Sequence, residues 1–162
     1  MNLSGSINKC LRPIGKQDLE RLRCWKNENS KSFFCQEYIS KSSQDMWFSQ
    51  YEERLNDYMF IVLAPNDDII GCMGIRWQSD EQSWDIYNVI LGEFTYKGSG
   101  IMSLGLLELI RFALEKREAP VKLNVLKDNP AIRWYERNGF KMLQEDQFSA
   151  SMCFTKLDSK KP

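Results

Sequence analysis

The run Lys97-Gly98-Ser99-Gly100-Ile101-Met102 has the residue types to hold an anion. Two glycines let the backbone turn tightly and approach a ligand closely. An apolar helix pattern follows, from Met102 to Lys116. A helix start offers unpaired N–H groups and the positive end of its dipole, which together suit a phosphate. Read locally, an ordinary glycine-rich strand–helix turn fits the same residues. A second segment stands out downstream, from Asn129-Pro130-Ala131 through Tyr135 to Gly139-Phe140. On local grounds Asn129-Pro130 starts a short helix, and Tyr135 packs that helix onto a sheet.

The chain of 162 residues contains no histidine. The commonest general base and the commonest metal ligand are therefore missing. Hydrolases of the Ser-His-Asp or Cys-His kind are excluded, as is a histidine-based zinc site. Proton transfer is left to carboxylates, tyrosines, thiols, backbone carbonyls or water. The 22 basic and 22 acidic residues balance, with no basic block that would suggest nucleic acid. No apolar run is long enough to span a membrane, and Met1 to Lys9 lacks the apolar region of a signal peptide. Five cysteines, odd in number and widely spaced, read as reduced cytosolic thiols, so a cytoplasmic location is expected.

Periodicity supplies the elements that must position these groups. The length predicts a single domain over residues 1–162, with a core of about 10–157. Residues 1–8 read as a lead-in, and Asp158 to Pro162 as a charged tail. Cys10–Pro13 is a short strand, and Asp18–Asn27 a helix with Leu19, Leu22 and Trp25 in phase. Ser42-Ser43-Gln44-Asp45 suggests a capping box before a helix of about 43–56, with Met46, Trp47, Tyr51 and Leu55 along one side. Phe60–Ala64 and Ile69–Trp77, split by Pro65-Asn66-Asp67-Asp68, predict a hairpin. Gly71 and Gly74 within it suggest a bulge or close packing. Trp84–Leu91 and Val121–Leu126 read as strands, Ala131–Asn138 as a helix stopped by Gly139. Lys141–Gln144 and Ser151–Thr155 read as a closing hairpin. Helices alternating with antiparallel-rich strands give an α/β or α+β class.

Taken together, the two segments resemble the GNAT superfamily of acetyl-CoA-dependent N-acetyltransferases. That family has a [Q/R]-G-x-G-x-[G/A] loop after its fourth strand and N-x-x-A-x-x-x-Y-x-x-x-G-F after its fifth. The second pattern is similar here at Ala131, Tyr135, Gly139 and Phe140, with Asn129 two residues ahead of Ala131 rather than three. The first matches at Gly98 and Gly100 and departs at Lys97 and Met102. Lys97 keeps a charge but lacks the planar fork of arginine. The order of elements fits from about Leu11 to Phe154.

The resemblance implies a twisted, mixed sheet of six to seven strands flanked by helices, splayed at strands 4 and 5. It implies acetyl-CoA as donor, no metal, a small-molecule amine as acceptor, and a monomer or homodimer with no nucleic acid or membrane partner. Lys97, Gly98, Ser99, Gly100, Ile101 and Met102 would cradle the pyrophosphate, and the backbone of Ile90, Leu91 and Gly92 would pair with the pantetheine arm. Asn129 would bond that arm, and Tyr135 would be the general acid that protonates the leaving thiolate. Glu93 is a candidate base near the strand end. Asp85 and Asn88 share that strand, and water or backbone carbonyls are alternatives.

For the acceptor, Trp25-Lys26-Asn27 resembles the W-[R/K]-N of a GNAT subgroup that acetylates nucleotide-linked amino sugars. Ile39-Ser40 with Gln44 and Trp47-Phe48 resembles its I-S-x-x-x-H-x-x-W-[F/L], with Gln44 in place of the histidine. Trp25, Asn27, Gln44 and Trp47 would then line an acceptor pocket between the first two helices and the splayed strands. Read as residues alone, the aromatics are core of two helices. A protein or peptide N-terminus, an aminoglycoside, and a CoA-binding module without catalysis are the rival readings.

Overall fold

A computed structural model describes residues 9–155. The expected lead-in, residues 1–8, and the expected tail from Asp158 lie outside them. The elements in chain order are β1 (Leu11–Pro13), α1 (Leu19–Glu28), α2 (Lys41–Glu53), β2 (Asp57–Leu63), β3 (Ile69–Gln78) and β4 (Ser83–Leu91). Then come α3 (Ile101–Lys116), β5 (Val121–Leu126), α4 (Ala131–Arg137), β6 (Phe140–Glu145) and β7 (Ser149–Phe154). One seven-stranded sheet runs in the order β1-β2-β3-β4-β5-β7-β6. Every pairing is antiparallel except β4 with β5. Among the described residues no helix is long and apolar enough to cross a membrane.

Strand alternation separates two cores. Phe60, Val62, Ile75, Ile86 and Leu123 meet Leu106, Leu109 and Phe112 of α3 and Tyr135 of α4. On the opposite face Met59, Ile61, Cys72 and Ile90 meet Leu22 and Trp25 of α1, with Trp47 and Tyr51 of α2 packed against them. In α1 the buried residues are Leu19, Leu22 and Trp25, in the phase read from the sequence.

The second helix needs correction. Its N-cap is Ser40, whose hydroxyl accepts from the Ser43 N–H at 3.1 Å, so the capping box placed at Ser42 and Asp45 does not form. The helix therefore starts earlier, and Gln44 and Phe48 become its buried residues. Met46 and Leu55, expected on the inner side, are exposed. The expected hairpin turn forms, with Asp67 at φ +67°. Gly139, at φ +91°, ends α4 as expected.

Candidate active site

The parallel pairing of β4 and β5 covers only Trp84↔Val121, Asp85↔Lys122 and Ile86↔Leu123. Beyond Ile86 the strands part, while each keeps its outer neighbour. At the same place β4 carries a bulge: Cys72 faces Ile90 but Gly74 faces Tyr87, so β4 holds one residue more than β3. Asn88 sits in the bulge at φ +50°, a left-handed conformation that asparagine tolerates better than most residues. The extra residue reverses the phase of the strand. Trp84 and Ile86 belong to the α3 core, whereas Ile90 belongs to the α1 core.

A cleft of about 540 Å³ opens at this V, lined by β4 from Asp85 to Val89, β5 from Leu123 to Val125, and the loop from Ser32 to Cys35. Tyr135 and Asn129 line it from one side of the sheet, and Lys26 and Trp47 from the other. A second cavity of about 230 Å³ shares Lys26, Trp47 and Asn88 with the first and runs inward past Ser43, Gln44, Cys72 and Ile90. The two cavities therefore meet at Lys26, Trp47 and Asn88.

The loop ahead of α3 has the geometry of a phosphate cradle. Gly98 and Gly100 lie at φ +78° and +82°, and a Cβ on either would meet nothing within 4 Å. The left-handed backbone needs glycine, and the space beside it is open to a ligand. The amides of Lys97, Ser99 and Leu104 are paired within the loop, and Ile101 N–H donates to the Ser99 hydroxyl at 3.3 Å. Among the described residues the amides of Gly98, Gly100, Met102 and Ser103 are left without a partner. Such amides at a helix start bind anions. A Cβ at Gly71 would stand 2.4 Å from the Ile90 carbonyl oxygen and 2.9 Å from Met102 Sδ, so the strand pairing there requires glycine and Met102 packs against it.

Tyr135 is 5% exposed and lies in the α3 core, yet it reaches the cleft. Its hydroxyl finds no hydrogen-bond partner among the described residues. Burial alone pushes its pKa well above the ordinary tyrosine range, so it stays protonated and able to donate. The Trp134 indole N–H donates to Ser103 Oγ at 3.0 Å, tying α4 to the first turn of α3. Asn129 Oδ1 accepts from Ala131 N–H at 2.9 Å just ahead of α4, whose N-cap is Pro130, and its Nδ2 lies 3.5 Å from the Ser32 carbonyl.

The remaining sequence-predicted residues separate. Gln44 is buried and lines the inner cavity, with Nε2 3.4 Å from the Leu19 carbonyl, and Trp47 lines both cavities. Trp25 is a core residue, because its indole fills the space against Gly92. Asn27 pairs in both directions with the Ile39 backbone, at 2.8 and 3.0 Å, and so holds the loop between α1 and α2. Ile90 contributes its side chain to the inner cavity. The Gly92 amide is committed to the Ile70 carbonyl at 2.8 Å, so only its carbonyl is open to a ligand. Glu93 is exposed and lines neither cavity.

Sequence reasoning named Asp85 and Asn88 only as sharing a strand with the candidate base Glu93, and it missed Arg54, Arg76 and Tyr87 on the cleft wall. Asp85 is held by Arg76 Nε at 3.0 Å and by Gln78, and burial raises its pKa against the pull of that guanidinium. The Arg76 guanidinium lies 4.4 Å from the Tyr87 ring centre. Tyr87 donates to Asp57, which Arg54 also meets at 3.3 Å. Lys26 donates to Asn88 Oδ1, its Nζ 4.5 Å from the Phe33 ring centre. The W-K-N run already marked Lys26. Arg54, Arg76 and Tyr87 had no local signal, because their roles depend on strand pairing.

A family model described as an acetyltransferase (GNAT) domain matches residues 9–141. No curated relative matches the sequence. Several solved structures share the fold. A domain from Methanocaldococcus jannaschii is 21% identical with a TM-score of 0.74, over 89% of this chain and 97% of that one. Apo FdhC, a nucleotide-linked sugar GNAT, is 20% identical with a TM-score of 0.74, over 90% and 85%. Spermidine N-acetyltransferase from Vibrio cholerae, in complex with CoA and spermine, is 18% identical with a TM-score of 0.77, over 89% and 93%.

Proposed function

This chain belongs to the GNAT acetyltransferase family, and from that premise we propose that it acetylates the amine of a nucleotide-linked amino sugar. The donor, acetyl-CoA, supplies an already activated acyl group, so the protein's tasks are positioning and proton movement. The open amides of Gly98, Gly100, Met102 and Ser103 hold the donor's pyrophosphate. The parted edges of β4 and β5 take its extended arm. Tyr135 gives its proton to the leaving thiolate. The acceptor enters from the α1–α2 side and presents its amine at Asn88. Asp85, the one carboxylate lining the larger cleft among the described residues, takes up the proton that the amine sheds, directly or through water.

One observation carries the choice of acceptor. Lys26, Arg54 and Arg76 line the cleft; Arg76 holds Asp85 and Arg54 holds Asp57, which leaves Lys26 as the cation without an acid partner among the described residues. A polycationic amine would find Asp85 already engaged and Lys26 repelling it, whereas a nucleotide diphosphate would find in Lys26 a cation to pair with. The faces of Trp47, Phe33 and Tyr87 suit a sugar ring or a base. A cytosolic setting, in which the exposed Cys35 stays reduced, belongs to the same proposal.

The test is turnover on an amine panel with acetyl-CoA: a nucleotide-linked amino sugar, spermidine, an aminoglycoside and a peptide with a free N-terminus. The nucleotide-linked sugar should give the highest kcat/KM. Preference for the peptide or either polycation would overturn the reading. Thermal stabilisation by acetyl-CoA without turnover on any amine would mark a binding module instead.

A further inference from the structure

Lys26 is a half-buried lysine with no acid partner among the described residues. It leaves the last turn of α1 and lines both cavities where they meet at the β4 bulge. Its ammonium donates to Asn88 Oδ1 and rests near the Phe33 ring. The other two cations on the cleft each hold a carboxylate, Arg76 with Asp85 and Arg54 with Asp57. Lys26 alone of the three has none among the described residues.

The remaining surroundings do not compensate the charge. β3 contributes Arg76, which repels it, and Cys72, whose thiol burial pushes up to about 12 and so keeps neutral. The loop after α1 contributes Cys35, and α2 contributes Ser43, Gln44 and Trp47 around the inner cavity. β4 contributes the Asn88 amide. An enclosed cation without an acid partner is costly, and the burial that isolates Lys26 lowers its pKa. The Asn88 amide orients the ammonium without neutralising it.

We infer that Lys26 is the anion receptor of the acceptor site, and that its missing partner is an acid group, phosphate or carboxylate, carried by the acceptor close to the amine. The inference rests on the reading of this cleft as the amine-acceptor site. It narrows the acceptor to amines with an acid group within reach of Asn88. An arriving anion would raise the depressed pKa of Lys26, so binding near and above that pKa would draw a proton from solution.

The test uses three amino-sugar probes of matched ring: the 1-phosphate, the uronic acid and the neutral methyl glycoside. Affinity is measured by calorimetry in two buffers of different ionisation enthalpy, for wild type, Lys26→Met and Lys26→Arg. Lys26→Met should weaken whichever acid-bearing probe binds by at least about tenfold, leave the methyl glycoside unchanged, and abolish proton uptake. Lys26→Arg should restore much of the affinity but not the proton uptake. Equal losses on all three probes, unchanged binding of the acid-bearing probes, or no binding of either would overturn the inference. Phosphate and carboxylate sources separate by which probe depends on Lys26. If the uronic acid is acetylated in a Lys26-dependent way while the nucleotide-linked sugar is not, the nucleotide reading fails and the anion receptor stands.

Discussion

The indole of Trp25 lies against the backbone of Gly92, so close that a Cβ at Gly92 would stand 1.9 Å from Trp25 Cε2. The contact fastens α1 to the end of β4, just beyond the bulge that carries Asn88. It also makes Trp25 a structural residue, because the ring is spent on packing.

Gly92→Ala should therefore destabilise the fold by about 1–3 kcal/mol, since a rigid ring must move to admit the methyl group. Urea unfolding should show a lower midpoint with an unchanged slope. A variant as stable as wild type would mean that the indole has a second resting place.

Gly100→Val should weaken acetyl-CoA binding at least tenfold, about 1.4 kcal/mol. The side chain would enter the open space beside the unpaired amides, at a φ of +82° that valine strongly disfavours. Melting temperature reads the backbone strain, and calorimetry reads the binding loss. Unchanged affinity in a folded variant would move the pyrophosphate elsewhere.

Tyr135→Phe should lower kcat by about 10²–10⁴-fold while leaving acetyl-CoA affinity near wild type. The hydroxyl has no protein partner among the described residues, so its removal breaks no internal bond, and the ring contacts with Trp134 and Phe140 persist. Single-turnover kinetics would separate chemistry from product release. A rate within about twofold of wild type, with chemistry limiting, would remove the general-acid role.

Asp18 couples stability to acid. It is 2% exposed and accepts from both terminal nitrogens of Arg12 at 2.9 Å and from Gly15 N–H at 2.8 Å. Burial pushes its pKa up, but these donors outweigh burial and hold it below the ordinary aspartate value of 3.8. A depressed carboxyl pKa contributes stability above the unfolded value and loses it as pH falls through the folded one. Asp18→Asn should thus be less stable at pH 7 by about 1–3 kcal/mol, with the gap closing below about pH 4. Urea midpoints at pH 7 and pH 3 measure this, and an equal gap at both would assign the loss to packing.

The local features of this chain were legible without coordinates because they depend on a few consecutive residues. Gly98 and Gly100 ahead of an apolar helix, Asn129-Pro130 at a helix start, the Pro65–Asp68 turn and the Gly139 stop all require only nearby backbone conformation. Periodicity located the strands and helices for the same reason, and the two motifs implied the splayed sheet. What only tertiary structure decided is which side chains face the cleft. Pairing β4 to β5 for three residues and then releasing it opens the V, and the extra residue at Asn88 reverses which face of β4 looks toward α1. No sequence period encodes that reversal. The packing of α1, α2 and β3 around that strand puts Lys26, Gln44, Arg76 and Asp85 on the cavity walls, while Trp25 closes onto Gly92 and Glu93 is exposed. Residue identity supplied the chemistry, and long-range strand pairing chose which of it meets.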